Sequence, residues 1–297
     1  MRILISGATG LVGKSLISNL QGHEVFKLVR KGTGDKNEII WDAERGFSES
    51  EEAKLTGFDA VINLAGDNVA SQRWTPEKKQ RIRLSRTLGT KNLVEALKRR
   101  NVNPKVFISA SAIGFYGNRG DEVLTEESSP GEGFFPEVCQ QWETEAKRAE
   151  ELGSRVVLLR IGIVLAKEGG ALKKMLLPFR LGLGGVVGSG NQWMSWIALE
   201  DLIRIILFVL EKDKIKGPFN CTSPNPVTNL EFTKTLGKVL SRPTLIPVPA
   251  LAIKFLFGEM GEALLLESTR VIPKRLQQEG FKFSHPNLED ALRSLLK

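Results

Sequence analysis

Three glycines near the start of the chain, Gly7, Gly10 and Gly13, stand at three-residue intervals. Before them lies an apolar run, Arg2 to Ser6, and after them Leu16, Ile17 and Leu20 recur at helical spacing. The order is strand, tight turn, helix. Such a turn can bind a phosphate, because the first amides of the helix point at it and the helix dipole favours negative charge there. Gly7 permits the turn, Gly10 lets the backbone approach a pyrophosphate, and Gly13 lets the helix pack close to the strand. A second apolar run, Glu24 to Val29, follows, as a dinucleotide-binding unit requires. The plain alternative is a strand-turn-helix unit without ligand.

The residues after the second run bear on which dinucleotide fits. An acid there would grip the ribose hydroxyls of NAD. The chain instead carries Lys27, Leu28, Val29, Arg30 and Lys31, with no acid until Asp35. A carboxylate would repel a 2′-phosphate, whereas Arg30 can pair with one through charge-assisted hydrogen bonds. This favours NADP(H), against the simpler reading that Arg30 and Lys31 solvate a strand end.

The elements that must position these residues alternate. Strands are expected at Glu38 to Trp41, Ala60 to Leu64, Lys105 to Ala110 and Arg155 to Ile161. One long basic helix is expected between the second and third of these, and a helix from about Glu137 to Glu151 precedes the last. The fold class is α/β, a Rossmann-type doubly wound parallel sheet with right-handed crossovers. After Leu165 the pattern changes: seven glycines lie between Gly169 and Gly190, around a short helix at Ala171 to Arg180. A strand at Gln192 to Ile197, a helix at Glu200 to Lys212 and a returning strand at Phe219 to Thr222 are expected next. A helix at Asn229 to Leu240 has Asn229 as its N-cap. The expected division is a cofactor domain over 1–165, with returning elements at about 186–222, and a smaller mixed lobe over 166–297 facing the substrate.

Composition excludes several classes. The chain has 297 residues, 41% of them hydrophobic and 26% charged, as in ordinary globular proteins. Its most apolar run, Leu202 to Leu210, is too short for a membrane span and contains Arg204. A first strand at residue 2 leaves no room for a leader peptide. Cys139 and Cys221 lie far apart, and neither His23 nor His285 is near them, so no metal site is expected. A reducing cytoplasm fits two unpaired cysteines. The net charge of +8 is concentrated in Arg73 to Arg100, with ten Lys/Arg against two Glu. Only Trp74 is aromatic in that segment, so a nucleic-acid stacking platform is not expected. A solvated helix face that also steers an anionic cofactor is the better reading.

Further motifs carry a family resemblance. Ser6-Gly7-Ala8-Thr9-Gly10-Leu11-Val12-Gly13 resembles the T-G-x-x-G-x-x-G turn of extended short-chain dehydrogenase/epimerases. Gly89-Thr90-Lys91-Asn92-Leu93 resembles their G-T-x-N-L helix, and Ser109-Ala110-Ser111 followed by Phe115-Tyr116-Gly117 resembles their serine and V-Y-G segment. Arg160 to Leu165, Gly169 to Leu172 and Leu177 to Gly185 are similar to the atypical, YfcH-like subgroup, as is the segment from about 247 to 297, whose role in that subgroup is unassigned. The resemblance implies NADP(H) contacts from Gly7, Thr9, Gly10, Leu11, Val12 and Gly13, with Arg30 on the adenosine phosphate. It also implies contacts from Leu64, Ala65 and Gly66, from Arg86 and from Val164, with Asp42 near the adenine.

The chain departs from the family at the catalytic pair. Typical relatives use Y-x-x-x-K, in which the tyrosine moves a proton while hydride moves to or from nicotinamide. Here the only tyrosine is Tyr116, and Gly120 stands four residues on. At the distance where the pair belongs, the chain reads Cys139-Gln140-Gln141-Trp142-Glu143. The resemblance therefore implies an oxidoreductase or epimerase-like enzyme with an unknown small-molecule substrate. Ser111 would orient that substrate, and Tyr116, Cys139 or Glu143 would handle the proton. A non-catalytic NADPH-binding regulator or scaffold is the alternative. A homodimer stays open.

Overall fold

The computed structural model describes residues 1–296. Strands β1 (Arg2–Ser6), β2 (Glu24–Val29), β3 (Glu38–Ile40), β4 (Ala60–Asn63) and β5 (Val106–Ala112) are followed by the two-residue β6 (Val123–Leu124), then β7 (Arg155–Ile161). Strands β8 (Ile163–Leu165), β9 (Trp193–Met194), β10 (Trp196–Ala198), β11 (Gly217–Cys221), β12 (Val227–Thr228) and β13 (Arg270–Val271) complete the set. Seven of them form one sheet in the order β11-β7-β5-β4-β1-β2-β3, and every pairing in it is parallel. The chain winds outward through β2 and β3, then returns to the other side of β1. This reversal between β1 and β4 opens a crevice at their carboxyl ends, where such sheets bind ligands.

Helices cover both faces. Helices α1 (Leu11–Ser18), α2 (Glu49–Glu52), α3 (Pro76–Leu84), α4 (Thr87–Arg99) and α5 (Phe134–Lys147) belong to the first half, and α6 (Gly170–Arg180) and α7 (Leu199–Glu211) follow. One core lies between the sheet and α1 with α7, around Ile5, Ile62, Leu16 and Ile206. The other lies under α4 and α5, around Leu4, Val61, Leu93 and Phe107. The sheet strands are apolar on both sides, as burial on both faces demands. Helices α8 (Asn229–Leu240), α9 (Ala250–Gly261), α10 (Lys274–Gln278) and α11 (Leu288–Leu296) belong to the second half. There Trp196, Phe232, Leu172 and Leu292 make a separate core.

Three expectations need correction. The single basic helix is two helices broken at Ser85 and Arg86. Both side chains donate to the Ile82 carbonyl (3.2 and 3.1 Å), which an unbroken helix would bond to a backbone amide. The strand over Gln192 to Ile197 is split at Ser195, since β9 pairs antiparallel with β12 while β10 pairs parallel with β8. The N-cap of α8 is Thr228, not Asn229. Thr228 accepts from the Glu231 amide and its own amide donates back to the Glu231 carboxylate, a capping box. Asn229 Oδ1 instead accepts from the Val187 amide at 2.8 Å.

Candidate active site

The turn after β1 is closed by the Gly10 amide donating to the Gly7 carbonyl at 3.0 Å. Gly7 has φ +70°, and a Cβ there would stand 2.6 Å from the Leu64 carbonyl oxygen. A Cβ on Gly13 would stand 2.3 Å from the Gly7 carbonyl oxygen. Only glycine fits either place. Gly10 caps α1 with no side-chain bond, and Thr9 and Gly10 are exposed, so the first amides of the helix face outward. This cradle fits a pyrophosphate on steric and electrostatic grounds. Leu11 and Val12 are half-buried beside it.

The neighbouring loop is held from beneath. In register, Ser6 of β1 pairs with Asn63 of β4, which pairs with Ser109 of β5. The Ser6 hydroxyl donates to Asn63 Oδ1 at 2.6 Å and accepts from the Leu64 and Ala65 amides, both at 3.1 Å. Asn63 Nδ2 donates to Thr90 Oγ1 at 2.8 Å, and the Trp142 indole donates to the same oxygen at 3.0 Å. Leu64, Ala65 and Gly66 are thereby fixed against the glycine turn. Arg86 lies over Gly66, donates to the Asp67 carbonyl at 3.1 Å and stacks on the Trp142 ring at 5.2 Å. It has no carboxylate partner among the described residues. Val164 stands on β8, and its carbonyl would be 3.2 Å from a Cβ on Gly170, which also neighbours Leu11.

Two residues belong to the outer end of the crevice. Arg30 follows β2, exposed, with no ion pair or hydrogen bond among the described residues. Its guanidinium is free to meet an anion. The Asp42 carboxylate is engaged in its own turn, accepting from the Glu44 and Arg45 amides at 2.9 Å each.

A second polar row crosses the sheet two residues further along β5. Ser111 of β5 pairs in register with Arg160 of β7, which pairs with Asn220 of β11. Strand register thus puts the three side chains on one face. Glu143 reaches this row from α5. Arg160 grips it with two bonds, Nε to Oε1 at 2.8 Å and Nη2 to Oε2 at 2.9 Å. The Ser111 hydroxyl donates to Glu143 Oε1 at 2.8 Å. Both partners of the ion pair are only 4% exposed. Arg160 also donates to the Tyr116 hydroxyl at 3.0 Å and lies 3.5 Å over the Phe115 ring. Tyr116 in turn donates to Asn220 Oδ1 at 2.7 Å. Burial, only partly offset by the Arg160 cation, pushes the Tyr116 phenol up to about 12. Cys139, one turn before Glu143, is also buried, and burial with the nearby Glu143 charge pushes its thiol up to about 12. At neutral pH both groups keep their protons.

The sequence reading missed Ser6, Asn63, Thr90, Trp142, Arg160 and Asn220. Ser6 and Asn63 carried a signal, as polar residues inside apolar strands. Arg160 carried the same signal in Arg-Val-Val-Leu-Leu-Arg-Ile. Its partner choice did not, because that depends on the register of three strands.

A parallel sheet with a glycine cradle at its switch point defines a dinucleotide-binding protein of the Rossmann class. Residues 3–222 match the NAD dependent epimerase/dehydratase family, and residues 248–295 match a domain of unknown function, DUF1731. The chain belongs to that epimerase/dehydratase family. It is 41% identical over 292 residues to the Mycobacterium bovis epimerase family protein Mb2239, covering 98% of this chain and 96% of the relative. It is 39% identical to the Arabidopsis thaliana protein named epimerase family protein SDR39U1 homolog, chloroplastic, covering 100% and 87% of the two chains. The crystal structure of human epimerase family protein SDR39U1 with NADPH superposes with a TM-score of 0.89 at 35% identity, covering 99% of both chains. No helix among the described residues is long and apolar enough to cross a membrane.

Proposed function

We propose that this chain is an NADP(H)-binding oxidoreductase or epimerase-like enzyme acting on a small molecule, with Ser111 in the place of the relatives' serine and Cys139 and Glu143 in the places of their tyrosine and lysine. The Ser111–Glu143 hydrogen bond carries the reading. Ser111 gives its proton to a carboxylate, so its lone pairs are turned to accept from a substrate hydroxyl. A proton released by that hydroxyl passes to Ser111 Oγ as the serine proton passes to Glu143 Oε1. Arg160 orients the carboxylate through its two bonds. Tyr116 and Cys139, closed off by burial, serve packing. Residues 1–165, with elements at about 186–222, hold the cofactor, and 166–297 face the substrate.

For the cofactor, the turn from Gly7 through Thr9, Gly10, Leu11 and Val12 to Gly13 would hold the pyrophosphate. Arg30 would hold the 2′-phosphate. Leu64, Ala65, Gly66, Arg86 and Val164 would line the remainder, with Asp42 beside the adenine. When bound, nicotinamide supplies the hydride exchange. The bound NADPH in the human relative supports this choice of dinucleotide.

A second reading, an NADPH-binding regulator without turnover, is favoured by the burial of Ser111, Glu143 and Arg160, which are 3–4% exposed. Two measurements separate the readings. Arg30→Glu should weaken NADPH about 10- to 100-fold while leaving NADH nearly unchanged, the loss of one or two charge-assisted bonds. Equal loss for both coenzymes defeats the NADP(H) assignment. Coenzyme consumption is then followed across carbonyl and sugar-nucleotide substrates. Turnover that Ser111→Ala abolishes without changing NADPH affinity supports the enzyme; tight NADPH binding with no turnover on any substrate supports the regulator.

A further inference from the structure

The second half of the chain leaves a large apolar face uncovered. Residues 183–187 run beside 246–248, joined by the Val248 amide donating to the Val186 carbonyl at 2.8 Å and the Gly188 amide to the Val248 carbonyl at 2.9 Å. This brings Leu181 and Leu183, after α6, next to Leu245 and Ile246, before α9. All four are exposed, Leu245 at 80%. Helix α9, which starts four residues after Ile246, adds Leu251 at 80% and Phe255 at 82%, one turn apart on the same side of the helix. Side chains this exposed project from the surface instead of lining a pocket. Monomeric soluble proteins rarely gather so many large exposed apolar groups into one short region without a partner.

The charges around the face indicate its partner. Lys173, Lys174, Arg180 and Arg242 are exposed, and none has a carboxylate partner among the described residues. Arg242 and Lys174 donate to backbone carbonyls, of Arg180 and Ala70. The carboxylate of α9, Glu259, is matched by Lys79 at 2.7 Å, and Glu262, just after the helix, by Lys254 at 2.6 Å. The face is thus apolar at its centre and cationic at its rim. A two-fold contact with a second copy would set this rim against itself, cation on cation.

We propose that this face docks on an anionic lipid bilayer, with Leu181, Leu183, Leu245, Ile246, Leu251 and Phe255 entering the acyl boundary and the four cations meeting lipid phosphates. Apolar side chains and polybasic charge together make such binding selective for anionic membranes. The face also borders the crevice: a Cβ on Gly169, at the start of α6, would meet Leu11 at 3.1 Å, and Glu259 of α9 holds Lys79 of α3. Docking would hold the crevice mouth beside the lipid. The inference does not depend on the coenzyme.

The test is co-sedimentation of the full chain with vesicles of phosphatidylcholine alone and of phosphatidylcholine mixed with phosphatidylglycerol. Binding to the anionic vesicles should be on the order of tenfold tighter and should fall with salt. Leu251→Asp with Phe255→Asp, and separately Arg180→Glu with Arg242→Glu, should each weaken it by on the order of tenfold, with circular dichroism unchanged. No binding to either vesicle, equal binding to both, or binding that both double variants retain overturns the proposal. So does a dimer in solution that the Leu251/Phe255 variant dissolves while vesicles bind nothing.

Discussion

Two polar rows cross the same sheet at neighbouring levels and are built differently. The row of Ser6, Asn63 and Ser109 is neutral. Its hydrogen bonds end on backbone amides of Leu64 and Ala65, so its effect is to fix a loop. The row of Ser111, Arg160 and Asn220 contains a full positive charge, balanced by Glu143 from a helix more than thirty positions after Ser111. Neutral hydrogen bonds add about 1 kcal/mol each, so the first row is a modest stabiliser and a good positioning device. A buried ion pair is different: it adds little net stability over an apolar substitute, yet it is costly to break. Its place at the carboxyl end of the sheet is what the proton relay proposed above requires.

The largest effect that would break this comparison lies at the first row's neighbour, the glycine turn. Gly13→Val places atoms within 2.3 Å of the Gly7 carbonyl oxygen, so α1 must move off β1. The amides that would meet the phosphates move with it. NADPH affinity should fall at least ~100-fold, the loss of two or more bonds to a charged group. Fluorescence titration of NADPH measures it. Normal affinity in this variant would show that the neutral row positions a loop for something other than a dinucleotide.

The next effect lies in the charged row. Arg160→Met leaves Glu143 buried and without its cation, at a cost of about 3–5 kcal/mol in denaturant unfolding. Adding Glu143→Leu removes the orphaned charge and should restore most of that loss. A single variant costing under ~1 kcal/mol would mean that water reaches the pair, as at exposed ion pairs. Recovery of stability in the double variant together with loss of turnover would show that the row is maintained for chemistry.

The two rows also differ in how far the sequence announces them. The cradle is local: three glycines, a flanking strand and a flanking helix all lie within twenty residues, and Gly7 and Gly13 are required by sterics at their own positions. The parallel sheet was legible for the same reason, since its strands are short apolar runs between helices. The charged row is not local. Glu143 stands where the family's catalytic pair belongs, but its polar neighbours Gln140, Gln141 and Glu145 fit a surface carboxylate on α5 equally well. Only the register of β5, β7 and β11 shows that it meets Arg160. The break at Arg86 was hidden too, because side chains compete there for the Ile82 carbonyl and leave the hydrophobic period intact.

The finest test uses the one tyrosine of the chain as its own reporter. Tyr116 lies at the edge of the charged row, with its hydroxyl bonded to both Arg160 and Asn220. Burial raises its phenol to about 12, against 10.0 in water, even though the adjacent cation favours ionisation. The native state therefore holds the proton where the unfolded chain releases it, so this group's contribution to stability is complete below pH 10 and is lost as pH rises towards 12. Absorbance at the tyrosinate band, followed with pH, should stay flat through pH 10 and rise only near 12 or with unfolding. With one tyrosine, the signal has a single source. A midpoint near 10 would mean that solvent enters the row, and a carboxylate open to the same solvent would then exchange protons with water instead of with Ser111. Titrating Arg160→Met alongside the native chain sharpens the result. Removing the cation takes away the influence that opposes burial, so a folded Arg160→Met chain should ionise its tyrosine no earlier than the native one.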